Sequence, residues 1–122
     1  MIRPRGDMKF LVGALALVAL AGCSTPSDLL RGAPELSATT KKSPKAYALC
    51  VYPSWQDYRS SSVMSETTDG YRIVAGSEMN GQTDDVLDIK RSSSGSSVKL
   101  YQRMAWQQLG RGDLKESFNS CL

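Results

Sequence analysis

The sequence predicts a small α+β domain: an antiparallel sheet of about four strands covered by N- and C-terminal helices, in the order α-β-β-β-β-α. Three observations predict it. After Ser43-Pro44, the residues Ala46, Tyr47, Cys50, Val51, Trp55 and Tyr58 recur at spacings of three and four, the repeat of one helix face. From Val63 to Arg103 the repeat changes to two, interrupted by Asp69-Gly70, by the stretch Gly76 to Thr83 and by the serine-rich run at 92–97. Beyond a Gly-Arg-Gly break, Leu114, Phe118 and Cys121 make a second, shorter helical stripe. A chain of 122 residues has room for one small core.

The amino terminus carries a different signal. Arg3, Arg5 and Lys9 precede an unbroken small and apolar run from Phe10 to Ala21, which closes on Gly22-Cys23 and then Ser24, Thr25 and Pro26. As a helix the run rises only about 18 Å, against about 30 Å of bilayer hydrocarbon, so it reads as an export signal and not as a permanent span. Leu20-Ala21-Gly22-Cys23 resembles the lipobox of bacterial lipoproteins. The resemblance implies that residues 1–22 are removed, that Cys23 is diacylated on sulfur and acylated on its new amino group, and that this covalent lipid attaches the protein to a membrane. It covers residues 1–23 and implies nothing about the fold of the rest. Asp7 is an unusual acid in such a leader, and Met8-Lys9-Phe10 resembles a more typical lipoprotein beginning; either start gives the same chain after cleavage. In Gram-negative lipoproteins an Asp after the Cys retains the protein in the inner membrane. Ser24 in that place implies the periplasmic face of the outer membrane, or, in a Gram-positive source, the outer leaflet of the only membrane.

Residues 23–43 hold two Pro, several Ser and Thr and few large apolar side chains, and read as a flexible tether. Asp28-Leu29-Leu30-Arg31 has the makings of one helical turn, but a solvated linker suits the composition better. A coil of this length would span roughly 25 Å. The single folded domain then covers 44–122. Ser43 is expected as N-cap with Pro44 at the first helical position, and Pro53 should kink or break the helix near Tyr52 because its ring opposes the carbonyl of Leu49. Asp69-Gly70 is expected at the centre of a type I′ hairpin turn. Leu87 and Ile89 should share one strand face, as should alternate residues of 98–103, leaving the other face of the sheet largely in water. Asp113, with Glu116 three residues on, is expected to cap the last helix.

Cysteine arithmetic adds a restraint. With Cys23 assigned to lipid, Cys50 and Cys121 remain as a pair in an oxidising compartment, and a disulfide between them would clamp the last helix beside the first.

Composition narrows the chemistry. The chain has no His, which removes the commonest general base, the commonest zinc ligand and every Ser-His or Cys-His nucleophile pair. Lys plus Arg number 15 against 12 Asp plus Glu, and Arg3, Arg5 and Lys9 fall in the leader, so the basic excess of a nucleic-acid binder is missing. Asp84, Asp85 and Asp88 have the spacing of the acidic motif by which helical prenyl synthases hold magnesium, but in a strand residues 85 and 88 point to opposite faces. Arg111-Gly112-Asp113 reads as helix punctuation, and Ser60, Ser61 and Ser62 lack a partner base. The expectation is therefore no catalytic residue, no metal and no cofactor apart from the lipid on Cys23. Trp55, Tyr58, Tyr71 and Arg72 are the expected partner-binding surface, since Trp, Tyr and Arg concentrate binding energy; core packing is the competing use of such aromatics. The partners implied are a membrane, through the acyl groups, and an envelope protein, with no nucleic acid. The function expected is a non-catalytic interaction or envelope-assembly module. The alternative is an inhibitor or immunity protein acting against a toxin or a cell-wall hydrolase.

Overall fold

The computed structural model describes residues 24–77, 81–105 and 111–122, so the leader and Cys23 lie outside the described residues. The domain is α+β with a five-stranded antiparallel sheet, one strand more than expected. α1 (Pro26–Leu30) and β1 (Leu36–Thr40) come first, followed by α2 (Pro44–Tyr58). β2 (Val63–Glu66), β3 (Gly70–Gly76), β4 (Thr83–Ser92) and β5 (Gly95–Gln102) then form a meander, and α3 (Gly112–Ser120) follows. The strand order is β1-β5-β4-β3-β2, so α2 carries the chain from one edge of the sheet to the other.

Residues 24–43 are structured, which corrects the expected tether. β1 pairs antiparallel with β5, Leu36 opposite Leu100 and Thr40 opposite Ser96, and Leu36 and Ala38 pack against the core. Ahead of it, Thr25 and Asp28 make a reciprocal cap on α1: the Thr25 hydroxyl accepts from the Asp28 amide, and the Asp28 carboxylate accepts from the Thr25 amide at 3.0 Å. That backbone hydrogen bond, then the Thr25 hydroxyl, holds the Asp28 carboxyl below its ordinary value. α1 lies against β4 and β5. On the sheet face turned away from the other helices, Val86 is fully buried and Tyr101 nearly so. The expectation that this face stands largely in water is corrected accordingly.

α2 begins as expected, with the Ser43 hydroxyl accepting from the Ala46 amide. It runs unbroken through Pro53 to Tyr58. Leu49 and Pro53 both lie on the exposed side, where water can satisfy the carbonyl that Pro53 leaves without a partner, while Val51 and Trp55 fix both halves to the core. The buried face is Tyr47, Ala48, Val51 and Trp55; Ala46 and Cys50 point outward. The helix ends where the Trp55 carbonyl accepts from the Arg59 amide at 2.8 Å and the Ser62 hydroxyl at 3.0 Å.

The β2–β3 turn is centred one residue earlier than expected. Thr67 N–H donates to the Gly70 carbonyl at 2.9 Å, which makes Thr68-Asp69 the loop pair, and neither adopts positive φ. Gly70 is required for a different reason: a Cβ there would lie 1.8 Å from the Ile89 carbonyl oxygen. In the β4–β5 turn, Gly95 has φ of +149° and sits where a Cβ would meet the Thr40 carbonyl at 2.1 Å, so it serves both the turn and the approach of β1.

One core unites the helices with the inner face of the sheet: Tyr47, Val51 and Trp55 from α2, Ile73, Leu87, Ile89, Val98 and Leu100 from the strands, Leu114 and Phe118 from α3. Asp113 is not the cap of α3; Arg111 holds that place without a side-chain cap bond, and Asp113 falls in the first turn. Cys50 and Cys121 are joined by a disulfide, with Cα atoms 5.8 Å apart. The sheet has two unlike ends. At one, β4 starts at Thr83 beside the end of β5 and the end of α2; at the other lie the turns before Gly70 and Gly95 and the start of α2.

Candidate functional site

The four residues expected to form a partner surface do not come together. Trp55 is 1% exposed and belongs to the core, so it is withdrawn from that surface. Tyr58 is half-buried against the same core, with the Arg59 guanidinium 5.0 Å from its ring centre. Tyr71 packs toward the helices, whereas Arg72, its neighbour along the strand, faces the opposite side and pairs with Asp88 at 3.2 Å. Strand alternation makes that separation unavoidable.

Tyr71 does line a site that sequence reasoning missed. Between the start of α2 and the β2–β3 turn lies a cleft of about 260 Å³, bordered by Lys45, Glu66, Thr67, Thr68, Tyr71 and Arg91. Four separate elements build it. The Ser43 cap sets the direction of the first turn of α2 and so places Lys45, β2 and β3 contribute the facing pair Glu66 and Tyr71, and Arg91 comes from the end of β4, where its amide donates to the Asp69 carbonyl at 2.7 Å. Lys45 and Arg91 make no ion pair or hydrogen bond through their side chains with the described residues. Two cations against one carboxylate, with hydroxyls around them, suit an anionic or hydrogen-bonding guest. The volume falls below that of ordinary small-molecule sites, about 300–1,000 Å³, and fits a side chain or a short peptide segment. A second groove, between α2 and α3, is lined by Ser54, Asp57, Asp113, Glu116, Ser117 and Ser120; its three carboxylates make it acidic.

The Asp84-Asp85 pair sits at the opposite end of the sheet and is held by arginines. Asp84 accepts from Arg59 at 3.0 Å and from the Arg103 guanidinium, whose Nε lies 3.0 Å away. Arg59 also donates to the Gly76 carbonyl. Asp85, fully buried on the helix-facing side, takes Arg111 Nε at 3.3 Å and Gln102 Nε2 at 3.1 Å through one oxygen, while its Oδ2 makes no hydrogen bond. Burial pushes the Asp85 carboxyl up from its ordinary value, and Arg111 opposes the shift. The Tyr58 phenol is raised too, first by burial and then by the Asp85 charge. Asp88 lies on the other face from Asp85, paired with Arg72 and Lys90. These three aspartates are thus divided between two faces and engaged by cations.

In comparisons with protein-family models, curated proteins and solved structures, nothing matches this chain. Among the described residues, no helix is long and apolar enough to cross a membrane.

Proposed function

We propose that this protein is a lipid-anchored module of a bacterial cell envelope that acts by binding a partner protein and performs no chemistry of its own. Acyl groups on Cys23 would localise it, and the cleft between α2 and the β2–β3 turn would engage the partner through a carboxylate or amide side chain placed against Lys45 and Arg91. The single observation that carries the binding role is this cleft, whose two cations have no partner within the described fold. The lipobox carries the localisation. Anchoring adds to the binding by raising the effective concentration of the cleft near other envelope proteins.

The test is crosslinking in intact cells with the double variant Lys45→Glu, Arg91→Glu. Both side chains are exposed, so the melting temperature should stay close to that of the parent. Capture of the principal crosslinked partner is expected to fall by roughly tenfold or more, equivalent to at least about 1.4 kcal/mol of binding. Undiminished capture by a stably folded double variant would overturn the assignment of the cleft.

A further inference from the structure

From the way the chain leaves its anchor, we infer that the domain lies directly on the bilayer, with the Thr83 end of the sheet against anionic headgroups and the Lys45–Arg91 cleft facing away. The inference rests on the lipid-anchor reading above. It starts from slack. A flexible tether would let the domain tumble at a distance of tens of ångströms, but here Ser24, the residue after Cys23, is already fixed. Its hydroxyl donates to the Thr83 carbonyl at 3.2 Å, and its own carbonyl accepts from the Thr83 amide at 3.1 Å. α1 begins two residues later and lies against β4 and β5. Consecutive Cα atoms are about 3.8 Å apart and backbone-paired residues about 5 Å, so the start of β4 can lie no more than about 10 Å from an acylated Cys23.

The surface at that end suits the position. Among the described residues there, Arg59 and Arg103 keep 23% and 29% of their side chains exposed, while their shared counter-ion Asp84 is almost fully buried at 6%, so this cluster presents positive charge outward. Next to Arg103, Met104 is 39% exposed on a residue with φ of +51°, and its sulfur accepts from Arg103 Nη1 at 3.0 Å. Guanidinium groups beside an exposed thioether are the mixture that settles at an anionic interface. The opposite end also carries cations, Lys45 and Arg91, but the anchor cannot reach it: β4 runs ten residues between the two. The short leash selects the end, and the arginines hold it there.

The experiment uses isotopically labelled full chain, processed and purified from membranes and placed in phosphatidylethanolamine–phosphatidylglycerol bilayers. A small fraction of the lipids carries a gadolinium chelate on the headgroup. Ten strand residues span about 33 Å and paramagnetic broadening falls with the sixth power of distance, so amides of Arg59, Gln82 and Met104 should broaden at least about fivefold more than those of Thr68 and Ser94. Inserting about ten Gly and Ser residues between Cys23 and Ser24, a coil of roughly 17 Å, should abolish the gradient without releasing the protein from the bilayer. Uniform or reversed broadening in protein that floats with the bilayers would overturn the orientation and leave the anchor reading standing. Protein that does not float would overturn both.

Discussion

Arg111→Ala is expected to destabilise the protein by about 3–5 kcal/mol, the usual result of removing one partner from a buried ion pair. Its guanidinium is almost fully enclosed beside Asp85, which is fully buried, and it also donates to the carbonyls of Met104 and Asp84 at 3.0 and 3.3 Å. Truncation strands the Asp85 charge in the core. The loss should depend on pH in a definite direction. Burial already raises the Asp85 carboxyl above the ordinary 3.8, and without Arg111 it is raised further. A group whose folded pKa is raised stabilises the fold fully below its unfolded pKa and loses that contribution as pH rises through the folded value. The deficit of the variant should therefore be smaller at about pH 5 than at about pH 8. Adding Asp85→Asn to Arg111→Ala should recover part of the loss at the higher pH. Urea midpoints for the parent and both variants check this; a deficit below about 1 kcal/mol, or one without pH dependence, would contradict it.

Removing the disulfide with Cys50→Ala, Cys121→Ala is expected to cost about 4 kcal/mol, because the bond closes a loop with a sequence separation of 71 residues. In a domain this small, that is a large share of a total in the usual range of about 5–15 kcal/mol. The carboxy-terminal segment is also held by other contacts, which should persist without the bond: the Tyr47 hydroxyl donates to the Phe118 carbonyl at 2.8 Å, and Thr40 Oγ1 to the Leu122 carbonyl at 2.8 Å. The effect should therefore appear chiefly in the unfolded state. The urea midpoint should fall while the denaturant slope rises, since the uncrosslinked chain exposes more surface. A midpoint shift worth less than about 1 kcal/mol, with the slope unchanged, would contradict the account.

What could be read from the sequence followed from whether the information was local. β4 and β5 were legible because Leu87, Ile89, Val98 and Leu100 alternate with polar residues, and α3 because Leu114 and Phe118 repeat at four. β1 was not. The run Leu36-Ser37-Ala38-Thr39-Thr40 has one large apolar residue, and its strand conformation is completed by the open edge of β5, a partner some sixty residues away in sequence. α1 was obscured in the same way, since the strands it lies against, β4 and β5, are distant in sequence from its own segment. The Asp69-Gly70 pair was legible as a hairpin, but its glycine answers to the Ile89 carbonyl, a steric fact absent from local sequence. Pro53 suggested a break because sequence could not show that the Leu49 carbonyl lies on the solvent side. The cleft was the least legible feature: Lys45, Glu66 and Arg91 come from three elements, and among its lining residues Ser43, Pro44 and Gly70 signalled only backbone geometry, leaving Tyr71 as the one expected at a binding surface.

The central claim is that this fold is held to a membrane through Cys23. Intact-mass and fragment analysis of protein extracted from the membranes of expressing cells tests it most directly. The account predicts a chain whose first residue is Cys23, heavier than its sequence mass by a diacylglyceryl group and an amide-linked acyl chain, and carrying neither when the chain has Cys23→Ala. A chain that retains residues 1–22, or begins at Cys23 with an unmodified thiol, would contradict it.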